Sequence, residues 1–253
     1  MICYPGGKSK SVKRILPYIP PDIQEFRSPF TGGGWVEMHT MLKFPNARFW
    51  LNDLFKPTYF MWRNLMECPK DMARWVVNNK ARCAGRETAR ALNKKCQQEL
   101  EQGTEFEQGC KMYTILKLSH RAAFNRCGYT PIVKSFTYTS LLKLFDIAAI
   151  LRDRDVTLTN LDYSEVLQAP GDKVFTYNDP PYDVEYGQYG LRWKEKDHLR
   201  FAETIQQCPH RWLLSYNDSE KLRGRYSKFN IGTLRVWQGM NNESKKELLI
   251  RNC

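Results

Sequence analysis

The sequence lacks the features of a membrane protein and of a disulfide-stabilised protein. No apolar run approaches the roughly 20 residues that a membrane-spanning helix needs. The eight cysteines are scattered without a C-x-x-C pair, which disfavours a zinc site or a disulfide framework and predicts reduced thiols inside a cell. The first residues lead directly into polar sequence, so we expect no signal peptide. We therefore expect a cytoplasmic protein with no metal and no membrane partner.

Acidic residues are few relative to basic ones. The chain has 27 Asp and Glu against 39 Lys and Arg, which gives a formal charge of +12 and an isoelectric point near 9.3. Such an excess favours a polyanionic partner, with nucleic acid as the first choice; a basic surface kept for solubility is the alternative. The 253 residues suffice for one large domain or for one domain with an insertion.

The most distinctive turn of the chain follows an apolar run. Residues 173–177 predict a short buried strand, and Asn178-Asp179-Pro180-Pro181-Tyr182 comes directly after it. Prolines cannot continue a central strand, so the chain leaves the sheet at its carboxyl end, where open α/β sheets bind ligands. The carboxylate, backbone carbonyls and tyrosine ring suit a planar ring that bears an amine. The alternative is a proline-rich exit turn with a capping Asp and a packed Tyr.

A glycine-rich turn and a later acidic residue favour an adenosine-containing cofactor. A predicted strand at 23–26 leads into Ser28-Pro-Phe-Thr-Gly-Gly-Gly34 and then a helix. Asp53 follows the next predicted strand, 48–51, about 20 positions after the glycines, where it can accept hydrogen bonds from ribose hydroxyls. By itself, the glycine turn is equally consistent with a simple loop. Before a predicted helix at 9–18, Gly6-Gly7-Lys8 resembles only a fragment of a phosphate-binding loop.

A basic helical region interrupts this α/β pattern. Helical patterns follow one another at 56–66, 70–82, 86–102 and 106–124. The last leads into a loop in which Arg121, Asn125 and Arg126 stand beside aromatic residues, as contacts with base edges and phosphates require. Most of the lysines in this region fit a solvated helical face equally well. We predict a helical insertion at residues 56–135 between catalytic segments 1–55 and 136–253.

The α/β pattern then resumes to the end of the chain. Helices are predicted at 141–152 and 198–207, and a mobile loop over the site at 183–196. Further strands are predicted at 156–160, 211–216, 229–237 and 246–252. With the three strands above, the total is seven, which predicts a doubly wound α/β sheet with an antiparallel hairpin at its end.

Seven short motifs in a fixed order span nearly the whole chain. They are Tyr4-x-Gly-Gly-Lys8, Ser28-Pro-Phe-x-Gly-Gly-Gly34, Asn52-Asp53, Asp162-Tyr163, Asp179-Pro-Pro-Tyr182, Ser215-x-Asn-Asp218 and Glu247-Leu-Leu-Ile-Arg-Asn252. Together they resemble the Dam-type (alpha-group) DNA adenine-N6 methyltransferases, including phage-type members. The resemblance implies a Rossmann-like seven-stranded methyltransferase sheet with helices on both faces and a mainly helical target-recognition insertion.

The same resemblance implies chemistry, partners and residue roles. It implies S-adenosylmethionine as the methyl donor and adenine in double-stranded DNA as the acceptor. We expect a monomer or weak dimer in a bacterial or phage-infected cell, with a role in restriction–modification. The cofactor-site residues that it implies are Tyr4, Gly7, Lys8, Phe30, Gly32, Gly34, Asp53, Asp162, Tyr163 and Asp179. The implied catalytic residues are Asp179, Pro180, Pro181 and Tyr182, and the implied DNA contacts are Arg121, Asn125, Arg126 and Tyr129.

Two stretches depart from the family pattern. Ser28 stands where the family often has an acidic residue before Pro-Phe. The loop from Phe124 to Tyr129 differs from the Asn-Gly-x-x-Arg-Tyr-Asn pattern of members that read GATC, so a GATC target is not implied. Two other functions stay open at this point: methylation of RNA or of a protein glutamine, and DNA binding without catalysis.

Overall fold

The structure is built around a seven-stranded sheet with the strand order β3-β2-β1-β4-β5-β7-β6. It is a computed structural model, and it describes residues 2, 4, 6–81, 83, 85–119, 137–182, 193–237 and 244–253. Strands β1 to β5 are parallel to one another, whereas β7 runs antiparallel to both β5 and β6. The strands are β1 (Glu25–Ser28), β2 (Arg48–Asn52), β3 (Asp155–Thr159), β4 (Val174–Asn178), β5 (Arg211–Asn217), β6 (Asn230–Trp237) and β7 (Ser244–Arg251). The predicted seven strands and terminal hairpin are confirmed.

Helices flank the strands within the described part of the chain. They are α1 (Val12–Ile15), α2 (Trp35–Lys43), α3 (Lys56–Glu67), α4 (Pro69–Ala81), α5 (Arg86–Gln98), α6 (Glu105–Leu118), α7 (Tyr138–Arg152), α8 (Tyr163–Gln168), α9 (Glu195–Gln206) and α10 (Glu220–Arg225), with a 3₁₀ turn at Leu16–Tyr18. No helix in these described ranges is both long enough and apolar enough to cross a bilayer.

Several helix boundaries differ from the sequence prediction. The helix predicted at 9–18 is α-helical only over Val12–Ile15 and then tightens into the 3₁₀ turn. Pro17 lies in that turn, and its ring removes a backbone donor that a continuing α-helix needs. Helix α9 begins three residues earlier than predicted, because Asp197 accepts a hydrogen bond from the backbone N–H of Lys194 at 2.8 Å. Of the predicted loop at 183–196, residues 183–192 lie outside the described residues.

The two faces of the sheet carry different side chains, as strand periodicity requires. Along β5, Leu213 packs in one hydrophobic cluster, whereas Trp212, Leu214 and Tyr216 pack in the other. Successive side chains of a strand point to opposite faces, so these clusters lie on the two sides of the sheet. Helices therefore cover both faces, which confirms the Rossmann-like architecture.

Helices α3 and α6 pack unusually closely in the region predicted to be an insertion. Asn64 on α3 donates to the Phe106 carbonyl on α6 at 2.8 Å. A Cβ atom added at Gly109 would lie 2.7 Å from the Phe60 backbone and 2.5 Å from the Asn64 amide. Trp62 and Tyr113 of these helices belong to the same buried cluster as strand residues of the sheet. The domain division at 56–135 stays a prediction.

We predict that Gly109→Ala destabilises the protein, because the new methyl group collides with backbone atoms that cannot rotate away. The free energy of unfolding should fall by roughly 1–3 kcal/mol in urea denaturation. Gly224→Ala is the matched control, since a Cβ there meets nothing within 4 Å on helix α10. It should raise stability by about 0.5 kcal/mol. Equal effects of the two substitutions would contradict the close packing of α3 on α6.

Candidate active site

Asp179 lies immediately after β4, at the carboxyl edge of the sheet. Its Oδ1 atom accepts a hydrogen bond from the Ser215 hydroxyl at 2.8 Å and lies 2.8 Å from the Lys8 ammonium. Ser215 is on the neighbouring strand β5, and its hydroxyl is 3.0 Å from that of Tyr177. The carboxylate is thus fixed by groups from the N-terminal segment and from β5, while its side chain stays 20% exposed.

Lys8 is almost fully buried, with 4% of its side chain exposed. Its ammonium donates to the Gly6 carbonyl at 3.0 Å and to the Tyr182 hydroxyl at 2.7 Å. It also lies 3.8 Å from Glu247 Oε2 on strand β7. Burial alone would lower the pKa of Lys8, but the charges of Asp179 and Glu247 outweigh it and raise that pKa. Lys8 is therefore a permanently charged group at the centre of the site.

The turn after Asp179 is braced by aromatic packing. The Tyr182 ring stacks on Tyr216 with 5.6 Å between centroids and 23° between planes. The Tyr216 hydroxyl donates to the Pro181 carbonyl at 3.4 Å and also contacts the His198 ring. These contacts hold both prolines and Tyr182 beside the carboxylate.

A second carboxylate, Glu37 on α2, is buried close to this group. It is 3% exposed and accepts a hydrogen bond from the Ser28 hydroxyl at 2.7 Å. Among the described residues, none forms an ion pair with it. Burial raises the pKa of Glu37 to about 7; the Ser28 hydrogen bond opposes the shift, and the nearby charge of Asp179 adds to it. The sequence predicts no role for Glu37 in this site.

Asp53 closes the glycine-rich turn. Its two carboxylate oxygens accept from the backbone N–H groups of Gly32 at 2.9 Å and of Phe55 at 3.0 Å. Burial raises its pKa to about 6, although both hydrogen bonds oppose the shift. Asp53 and the glycine-rich turn, about 20 positions apart in the sequence, are thus in direct contact.

Backbone conformation and close neighbouring side chains both require glycine in this turn. Gly32 and Gly34 have φ angles of +49° and +66°, which side-chain-bearing residues rarely adopt. A Cβ at Gly33 would lie 2.6 Å from the Tyr4 side chain, and one at Gly34 would lie 2.5 Å from the Trp62 ring. Gly7 in turn donates to the Tyr4 carbonyl at 2.9 Å. Gly7, Gly32 and Gly33 therefore pack against Tyr4, whereas Gly34 packs against Trp62.

Phe30 and Tyr163 meet on the other side of the turn. Their ring centroids are 5.6 Å apart, and the rings of Trp193 and Phe201 complete the cluster. Asp162 caps helix α8 by accepting from the Ser164 N–H at 3.0 Å, and Arg200 holds both its oxygens at 2.8 and 3.0 Å. The capping Asp162 signals α8, a helix that the sequence analysis does not predict.

The sequence motifs contain further site residues to which the analysis assigns no role. Ser215 and Glu247 belong to two of the seven motifs, and the structure brings both to Lys8 and Asp179. The predicted DNA contacts Arg121, Asn125, Arg126 and Tyr129 lie outside the described residues. Within the described ranges, no group of three or more His, Cys, Asp or Glu side chains is placed to hold a metal ion.

Comparison with known proteins decides the family. Residues 4–238 match the D12 class N6 adenine-specific DNA methyltransferases. The chain belongs to this family. It is also 21% identical, over 241 residues, to the type II methyltransferase M.CviBI of Paramecium bursaria Chlorella virus NC1A, across 90% of this chain and 86% of that protein. The resemblance found in the seven motifs is confirmed, and the protein is an adenine-specific DNA methyltransferase.

The buried Glu37 of this methyltransferase gives its stability a defined pH dependence. Between pH 4.5 and about 7 the folded protein holds a proton on Glu37 that the unfolded chain has released. The free energy of unfolding therefore falls as the pH rises through this window. Glu37→Gln still accepts from Ser28 but carries no charge, so it should be more stable than the parent at pH 8, by on the order of 1–3 kcal/mol, and nearly equal at pH 5.

Urea denaturation at pH 5 and pH 8 measures this difference. Glu203→Gln, which neutralises an exposed glutamate on α9, is the control and should show no such pH dependence. A stability difference between Glu37→Gln and the parent that is the same at both pH values would contradict a buried, protonated Glu37.

Proposed function

We propose that this protein transfers a methyl group from S-adenosylmethionine to N6 of an adenine that is flipped out of double-stranded DNA. One observation carries the proposal: Asp179 is held by Lys8 and Ser215 at the carboxyl edge of β4, with its carboxylate still partly exposed beside the Pro180 backbone. Membership of the adenine-N6 DNA methyltransferase family supports the reaction type.

The residues at the carboxyl edge suit a cationic cofactor. Asp179 and Glu247 place two carboxylates beside the single ammonium of Lys8, so this group is formally negative when both are ionised. Glu247 Oε2 and Asn178 Oδ1 are buried acceptors without a hydrogen-bond partner among the described residues. When bound, S-adenosylmethionine supplies an electrophilic methyl group on a sulfonium and leaves as a neutral thioether.

For the cofactor-binding residues we propose the roles that the family resemblance implies. Asp53 would accept from the ribose, since a carboxylate can accept further bonds beside those from Gly32 and Phe55. Asp162 and Tyr163 would flank the adenine of the cofactor, and Phe30 and the glycines would border its methionine part. Tyr4, Gly7 and Lys8 would close the site from the N-terminal side.

Asp179 and the Pro180 carbonyl would activate the target amine. The lone pair of adenine N6 is delocalised into the ring, which makes it a poor nucleophile. Two acceptors draw its N–H bonds and shift the nitrogen toward a tetrahedral, more nucleophilic state. This nitrogen would then accept the methyl group that the bound cofactor would supply. The surplus proton on N6 passes to Asp179 and on to water.

Base flipping follows from the position of these acceptors. An adenine inside a duplex cannot place its amine within reach of a carboxylate at the edge of a sheet, so it must leave the base stack. Tyr182 would stack on the flipped base and offset part of the lost stacking energy, with Tyr216 supporting its ring at 5.6 Å.

The first test uses labelled S-adenosylmethionine and unmethylated genomic DNA, followed by mapping of modified adenines. Asp179→Ala should lower transfer at least about a hundredfold, because the main acceptor for the amine is lost. DNA binding should stay unchanged. Asp172→Asn, at the exposed opposite end of β4, is the control and should retain activity. Thermal melting checks that both variants fold.

Full activity of Asp179→Ala would contradict the catalytic role. Label that appears in RNA or in a protein glutamine, and not in DNA, would overturn the proposed substrate. Binding of DNA without binding of S-adenosylmethionine would indicate a relative that has lost catalysis.

Helix α5 offers a basic surface for the DNA backbone. Arg86, Arg90 and Lys94 are exposed and spaced by four residues, so they line one face of the helix. A row of cations at this spacing suits successive phosphates. We therefore propose that the helical region around α5 contacts DNA, in keeping with the predicted target-recognition role of residues 56–135.

The double variant Arg90→Ala/Lys94→Ala should weaken DNA binding and make it less dependent on salt. The slope of log K against log salt should fall by about 1 for each lost phosphate contact, because fewer counterions are released. Lys228→Ala, an exposed lysine after α10, is the control. An unchanged salt slope in the double variant would exclude this face of α5 from the DNA contact.

A further inference from the structure

One of the two carboxylate oxygens of Asp179, the proposed acceptor for the target amine, is already bound by Lys8. An ammonium has three N–H donors, and those of Lys8 have three acceptors: the Gly6 carbonyl, the Tyr182 hydroxyl and Asp179 Oδ1, at 3.0, 2.7 and 2.8 Å. The same oxygen also accepts from Ser215. Lys8 and Ser215 thus fill the two lone pairs of Oδ1, and an adenine amine can bind this oxygen only in exchange for one of them.

Glu247 lies next to this ammonium but beyond hydrogen-bond distance of it. Its Oε2 atom is 3.8 Å from Lys8 Nζ and is buried with no hydrogen-bond partner among the described residues. The residue lies within β7, opposite Asn217 of β5, in a sheet position where a carboxylate costs desolvation energy. Burial raises the pKa of Glu247, and Lys8 and the Tyr182 hydroxyl oppose that shift. Neither strand pairing nor core packing explains a carboxylate here.

We propose that Glu247 is a positioning residue that takes over the Lys8 ammonium when the target adenine enters. A movement of Nζ by roughly 1 Å toward Glu247 Oε2 would turn the 3.8 Å approach into a charge-assisted hydrogen bond of ordinary length. It would free Asp179 Oδ1 for the amine. This inference rests on the function proposed above, with Asp179 as the acceptor for the target amine.

The exchange keeps the buried charge paired throughout. If the adenine displaced Lys8 with no second carboxylate nearby, an ammonium that is 4% exposed would lose its counter-ion. With Glu247 in place, the ammonium passes from one carboxylate to the other and the number of buried ion pairs stays the same. Glu247 therefore lowers the cost of admitting the base without touching it.

A double-mutant cycle of Glu247→Gln and Lys8→Met tests the exchange. Two quantities are measured for each protein: the single-turnover rate of methyl transfer, and the fluorescence of a 2-aminopurine placed next to the target adenine of a duplex that carries the mapped methylation site. In Glu247→Gln the amide cannot draw the ammonium away, so the rate should fall about tenfold and the flipping signal should decrease. In the Lys8→Met background the same change should alter neither quantity by more than twofold.

Controls separate this role from a structural one. Glu247→Asp keeps the charge and should recover part of the rate, and Glu203→Gln should match the parent. Calorimetric binding of S-adenosylmethionine shows that each variant folds, and Lys8→Gln replaces Lys8→Met if the latter does not fold. An unchanged Glu247→Gln, or an effect that persists without Lys8, would overturn the inference. A parent protein with neither transfer nor flipping would instead reject the proposed function, and the exchange with it.

Discussion

The contact between Lys8 and Asp179 is the interaction on which the site depends. It joins the N-terminal segment to the end of β4 and draws in Ser215 of β5 and Glu247 of β7, which are far apart in the chain. A buried ion pair costs desolvation energy and is weak evidence for stability, but breaking one side of it is expensive. The pair therefore fixes where the N-terminal segment lies more than it strengthens the fold.

Much of the fold could be predicted because the strands are short apolar runs that end in polar residues. Those ends, Asn52-Asp53, Asn178-Asp179 and Asn217-Asp218, fall at one edge of the parallel part of the sheet. Helices α8 and α10 escape prediction because each has six residues, fewer than two turns, so no 3.6-residue period can develop. The sequence signal for each of these helices is its N-terminal capping residue, Asp162 for α8 and Ser219 for α10.

The sequence predicts which motifs form the site, but it does not predict which side chains are in contact there. The glycine turn is where the sequence places it, yet Gly33 and Gly34 are required by Tyr4 and Trp62 of the chain itself. A spacing rule cannot distinguish a glycine that admits a ligand from one that admits a neighbouring ring. Likewise, nothing in the sequence around Glu37 separates a buried carboxylate from an ordinary solvated residue in the first turn of a helix.

Ser28 shows how a departure from a motif can be offset in space. Position 28 often carries an acid in this family, and here it carries a hydroxyl. That hydroxyl donates to Glu37 at 2.7 Å, so a carboxylate borne by α2 stands next to the end of β1 although residue 28 is neutral. A carboxyl group therefore lies at the end of β1, although it belongs to a residue nine positions later in the sequence. A comparison of the motif residue by residue shows a missing acid at Ser28, whereas the folded site still has a carboxyl group at this place.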